Sequence, residues 1–136
     1  FLRANTASGK ARVNALTKLL YPPKAREYFN KHPDRSNITR ELHNPIPKKT
    51  LLMQLGACAA HDTRNQLNQL ATTPTLVIKP DEDILVRPRG SDYLHDHIPG
   101  SELYSFADAG HGVTEQCADE LNARLLKHFA KVDQRP

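Results

Sequence analysis

Thr75-Leu-Val-Ile78, a β-rich run fenced by Pro74 on one side and Lys79-Pro80 on the other, constrains the fold of this chain more than any other stretch. A short apolar run bounded by turn residues has the profile of a buried strand. The next thirty residues set the topology. Asp81-Glu82-Asp83 makes an acidic turn at the carboxyl end of the run, Arg87 to His97 reads as a helix, and Ile98-Pro99-Gly100-Ser101 as a turn. Glu102-Leu-Tyr-Ser-Phe-Ala107 then alternates as a second strand, and Asp108-Ala-Gly-His-Gly112 leaves its end. Strand, crossover helix and strand predict a parallel pair, and the loops at the carboxyl ends of such strands are where α/β folds keep their chemistry. Asp83 and His111 are therefore predicted at the ends of adjacent strands, on one edge of the sheet.

Those two residue types have a chemistry together. A histidine takes a proton from a hydroxyl only when it is held in one tautomer, and a carboxylate on its other ring nitrogen both holds it and stabilises the imidazolium. The glycines beside His111 are expected to allow a tight turn that aims the ring across the sheet edge. The competing reading is a surface acid and a loop histidine that never meet, and a spacing of 28 residues leaves both open.

The surrounding phrases add to this. Thr-Pro-Thr-Leu-Val-Ile-Lys-Pro-Asp-Glu-Asp-Ile-Leu-Val-Arg-Pro (73–88), Ile-Pro-Gly-Ser-Glu-Leu (98–103) and Asp-Ala-Gly-His-Gly (108–112) together resemble the carboxyl-terminal third of an α/β-hydrolase. The likeness runs from about residue 50 to about residue 130. In that family the last two core strands carry the triad acid and the triad histidine, in the chain order nucleophile, acid, histidine. Carried over by position, the resemblance implies Asp83 as acid and His111 as base. It departs from the family at Pro80 and Ile84, where Gly and Pro are frequent, and that alters the turn around the acid. The fold implied is α/β: a carboxyl-terminal fragment of an α/β-hydrolase core over residues 71–136, strand-helix-strand-helix with two parallel strands, preceded by a helical cap segment over residues 1–70.

The amino-terminal half suits a cap of that kind. Residues 9 to 20 place Val13, Leu16, Leu19 and Leu20 on one helical face, Tyr21-Pro22-Pro23 stops that helix, and Lys24 to Lys31 makes a second. Residues 34–49 read as a polar loop or loosely tied arm. Thr50 to Ala60 is a strong helix with Thr50 as a candidate N-cap. His61-Asp62-Thr63 breaks it, as the joint between cap and core in the resemblance, or with Asp62 or Thr63 simply capping the shorter helix that runs to Leu70. Val113 to Lys131 reads as one long amphipathic helix, capped by Thr114, with Cys117, Leu121, Leu125 and Phe129 repeating every four residues to pack across the sheet. Asp133 to Pro136 reads as a frayed end.

Two further patterns invite a chemical reading and resist it. Gly56-Ala-Cys58-Ala-Ala60 is spaced like a nucleophile elbow, but an elbow needs a strand before it, and Leu51 to Leu55 has helix-forming residues without β-branching. Cys58 is expected instead as a small buried thiol in a helix. His95-Asp96-His97 holds alternate histidines, which fall on different faces near a helix end without a third ligand at a defined spacing. Histidines there complement the helix dipole. No metal and no cofactor is expected.

The serines at 8, 36, 91, 101 and 105 lack the paired glycines an elbow demands, so the resemblance places the nucleophile upstream of this chain. Mean hydropathy is −0.61, low for a free-standing α/β core, and α/β domains of roughly 250 residues are common. Without an initiator Met, the 136 residues read as a piece of a longer protein. The function expected is that of a serine-type hydrolase cleaving an ester, lactone or similar acyl bond in a small molecule. A related hydrolase with a carboxylate nucleophile, such as a dehalogenase or epoxide hydrolase, and a non-enzymatic interaction fragment remain alternatives.

Charge is uneven, with 11 Lys and Arg against 3 Asp and Glu in residues 1–50, and 8 against 12 in the remainder. The basic half could steer an anionic substrate, or be a solvated helical face. No aromatic interleaving or recognition-helix pattern points to nucleic acid, and no run approaches the length of a membrane span. Two cysteines read as buried free thiols of a reducing, cytoplasmic setting. A two-stranded parallel sheet with an open edge predicts self-association of the chain.

Overall fold

The computed structural model describes residues 9–32 and 46–134. Among the described residues four helical segments precede the sheet: α1 (Gly9–Leu20), α2 (Pro23–Lys31), α3 (Lys48–Ala60) and a 3-10 segment, Arg64–Leu70. Then come β1 (Leu76–Pro80), α4 (Arg89–His97), β2 (Glu102–Phe106), α5 (Val113–Gln116) and α6 (Ala118–Asp133). The strands pair in parallel, Leu76 opposite Glu102 through Pro80 opposite Phe106, and among the described residues no third strand joins them. The mixed α/β class and the strand-helix-strand-helix order expected over residues 71–136 are those of the molecule.

Two apolar clusters hold these elements. Tyr21, Ala25 and Phe29 are buried where α1 meets α2, with Val13 and Leu20 against them and the Tyr21 and Phe29 rings 4.6 Å apart. The prolines at 22 and 23 separate the two helices, because a ring without an amide hydrogen suits the first turn of a new helix and not the interior of an old one. The second cluster joins Phe106, Ala109, Val113 and Leu121, with Ile78, Tyr104, Cys117 and Leu125 packed on it. It lays α6 across the sheet. At the far end of α6, Lys131 pairs with Glu102 at the start of β2 (2.8 Å), and that contact holds the Glu102 carboxyl below its ordinary range.

Several local expectations are corrected. The helix around Thr50 begins two residues earlier, at Lys48 behind Pro47, so Thr50 lies within the first turn and caps nothing. Thr114 is likewise inside α5, whose N-cap is Gly112. The long tail helix is two helices, because Cys117 adopts φ −125° and breaks the run between α5 and α6. Residues 34–45 of the expected arm, and Arg135 and Pro136 of the expected frayed end, lie outside the described residues. No helix among the described residues is long and apolar enough to cross a membrane.

Candidate active site

The acidic turn leaves β1 at Pro80, and its three acids separate at once. Asp81 Oδ2 accepts the Ser105 hydroxyl (2.7 Å), and its Oδ1 lies 3.5 Å from the Lys79 ammonium. Lys79 also pairs with Asp92 of α4 (2.7 Å), and that hydrogen bond raises the lysine pKa. Glu82 is exposed and contributes its backbone, its N–H donating to the Ala109 carbonyl (2.9 Å). Asp83 alone turns inward, its side chain 5% exposed. Its Oδ1 accepts the N–H groups of Leu85 (2.8 Å) and Val86 (2.9 Å), the side-chain-to-backbone turn that Asp forms two and three residues ahead of itself. Pro80, the departure from the family pattern, closes this turn by accepting the Asp83 N–H (3.3 Å).

Asp83 Oδ2 meets His111 Nδ1 at 2.9 Å. Oδ1 is thus committed to the backbone and Oδ2 to the imidazole, so the carboxylate has little freedom to rotate. His111 is 39% exposed, and its Nε2 makes no hydrogen bond among the described residues. The two loops are also joined through their backbones by the Glu82–Ala109 bond and by the Asp81 N–H donating to the Phe106 carbonyl (3.0 Å). Such a group can exchange a proton at Nε2 while Asp83 fixes the tautomer. A cavity of about 150 Å³ has Leu19, Tyr21, Arg26, Glu82 and Ile84 among its walls, and neither Asp83 nor His111 lines it.

Other residues singled out by pattern lie elsewhere. Cys58 is on α3 and exposed, not buried, because that helix is apolar on several sides and only Leu51 of it is covered. Cys117 is half-buried, and burial raises its thiol pKa, with Glu120 and Asp108 adding to the effect. His95 Nδ1 faces the Ser101 hydroxyl (3.0 Å), whereas His97 stacks on Tyr93 with ring centroids 3.9 Å apart. Among the described residues no three His, Cys, Asp or Glu side chains gather as a metal site requires. The glycines flanking His111 have no left-handed φ, which occurs only at Gly9 and Gly100 among the described residues. Their role is close approach: a Cβ on Gly110 would fall 2.6 Å from the Leu20 carbonyl, and one on Gly112 2.3 Å from the Tyr21 ring. Contacts from α1 to the histidine turn left no signal in spacing or periodicity.

No family model matches the chain. A protein of Stutzerimonas stutzeri (strain A1501) bearing the name "Putative carbamate hydrolase RutD" is 30% identical over 121 residues, covering 89% of this chain and 45% of that protein. A thermophilic esterase from Thermogutta terrifontis, solved with malate bound, matches in structure with a TM-score of 0.73 at 20% identity, covering 96% of this chain and 47% of that one. Together these likenesses support an α/β-hydrolase family for the chain. It spans under half the length of these relatives. For an α/β-hydrolase, a buried Asp and a half-exposed His at the carboxyl ends of neighbouring parallel strands occupy the edge where such folds bind and react.

Proposed function

We propose that Asp83 and His111 are the acid and base of a hydrolase triad, and that the whole protein cleaves an ester, lactone, carbamate or similar acyl bond in a small molecule. The observation that carries this is the 2.9 Å contact between Asp83 Oδ2 and His111 Nδ1, with Nε2 left unengaged. The relatives' names, one a carbamate hydrolase and one an esterase, support the acyl class. His111 Nε2 takes the proton from a nucleophile hydroxyl as that oxygen attacks the carbonyl, then returns it to the leaving group. Asp83 holds Nδ1–H throughout and stabilises the imidazolium. The described serines are engaged elsewhere: Ser91 donates to the Ile78 carbonyl, Ser101 partners His95, and Ser105 donates to Asp81. Because none of the five serines has the paired glycines of an elbow, this reading assigns the nucleophile and the oxyanion hole to parts of the protein beyond these 136 residues, and residues 1–70 to a cap over the site.

A fluorophosphonate probe tests the assignment on the full-length protein. Peptide mapping should find the adduct on a serine outside this chain, and His111→Ala should lower kcat for an ester by about 10⁴-fold. An adduct on Cys58, or undiminished turnover by His111→Ala, would sink the proposal.

A further inference from the structure

We infer that Gln116, acting with the Leu20–Tyr21 strap, positions His111, an inference that rests on reading His111 as the base. Residues 107–112 join β2 to α5 outside any regular element, so neither a strand ladder nor a helix fixes the imidazole they carry. A proton-transferring group has to be held within a fraction of an ångström of its working geometry. Gln116, the last residue of α5, reaches back to supply that restraint. Its Oε1 accepts the Gly110 N–H (3.1 Å) and its Nε2 donates to the Asp108 carbonyl, so one planar amide brackets the turn just before the histidine. Between those two points Ala109 is completely buried, and its carbonyl accepts the Glu82 N–H from the acid loop. Asp108, Ala109 and Gly110 are each tied down.

The other side of the turn is held from α1. Gly112 N–H donates to the Leu20 carbonyl (2.9 Å), the Tyr21 ring lies against Gly112, and the Tyr21 hydroxyl donates to Glu115 Oε2. His111 therefore hangs between a bracket on residues 108–110 and a strap on residue 112. Gln116 binds backbone rather than imidazole, which makes it a positioning residue and not a catalytic one. Losing the bracket should leave substrate binding intact and let the imidazole wander, and a displacement of about 1 Å costs up to about 10²-fold in rate.

The test uses the full-length protein with ¹⁵N-labelled histidine. Gln116→Met keeps the volume and removes both bonds. It should lower kcat about 10- to 100-fold with KM within about twofold, and should broaden the His111 Nδ1–H signal through faster exchange. Tyr21→Phe removes the hydroxyl and its bond to Glu115 and should give a smaller fall of about three- to tenfold, which keeps the inference testable if Gln116→Met folds poorly. Variants with kcat within about twofold of wild type, or a fall that merely tracks lost folded protein with the His111 signal unchanged, would overturn it. Should His111→Ala leave kcat intact, the reading of His111 as base fails instead, while the His111 signal still reports whether Gln116 holds the turn.

Discussion

Burying a carboxylate is unfavourable unless hydrogen bonds replace the water it gives up. Asp83 receives three, two from local backbone N–H groups and one from His111 in the other loop. Mutation separates these roles. Asp83→Asn keeps an oxygen for Leu85 and Val86, so it should cost under about 1 kcal/mol of stability, yet lower kcat by about 10⁴-fold by favouring the wrong histidine tautomer. Asp83→Ala strands both N–H groups at about 1–3 kcal/mol each, and denaturant titration should show a loss of about 2–6 kcal/mol. Equal stability losses for the two variants would mean that the turn bonds contribute nothing. At this scale the sequence is legible where a residue ends an element: Asp83 and His111 come directly after the two strands, and the parallel order alone puts them on one edge. It is not legible where a side chain meets backbone across the fold. Gln116 and Tyr21 act through a few non-repeating contacts that leave no periodicity, and Cys58 sits on a helix whose apolar faces give no direction for burial.

A repeat of every four residues treats Cys117, Leu121, Leu125 and Phe129 alike, and the helix does not. At about 100° per residue, each step of four advances about 40° around the axis, so three steps turn the face by about 120°. Leu121 is buried, Cys117 and Leu125 are half-buried, and Phe129 has rotated out to 55% exposure. Leu121→Ala should therefore cost about 2–4 kcal/mol in denaturant titration, and Phe129→Ala under about 1 kcal/mol despite the larger side chain. Comparable losses would place both in the core and contradict the packing of α6. The same geometry explains which elements are readable. Strand pairing and the α1 and α2 boundaries arise from short runs and prolines. The break at Cys117 does not, since no glycine or proline marks it; it lets α5 finish under the histidine turn while α6 takes a new path across the sheet.

For the molecule as a whole, the question is what covers the surfaces this chain leaves open. Parallel sheets are ordinarily buried on both faces, and two strands are seldom enough for independent stability. Among the described residues β1 has β2 on one side and no strand on the other. Leu52 and Met53 of α3 are 63% and 66% exposed, and Ile84 and Val86 beside the acid turn are 64% and 60% exposed. No large side chain among the described residues is fully enclosed. An unpaired apolar strand edge is a template for another chain. We therefore propose that these 136 residues, produced alone, self-associate through that edge and the α3 face, and that the remainder of an α/β-hydrolase core would supply the missing strand. Sedimentation velocity at micromolar concentration should show a distribution heavier than 15.3 kDa that shifts with concentration. The double substitution Leu52→Lys and Met53→Lys should move it toward the monomer if α3 contributes, since charge on an exposed apolar face opposes association. A stable monomer with one cooperative melt would mean instead that the helices of residues 1–70 cover the sheet by themselves, and that the open edge of β1 is tolerated.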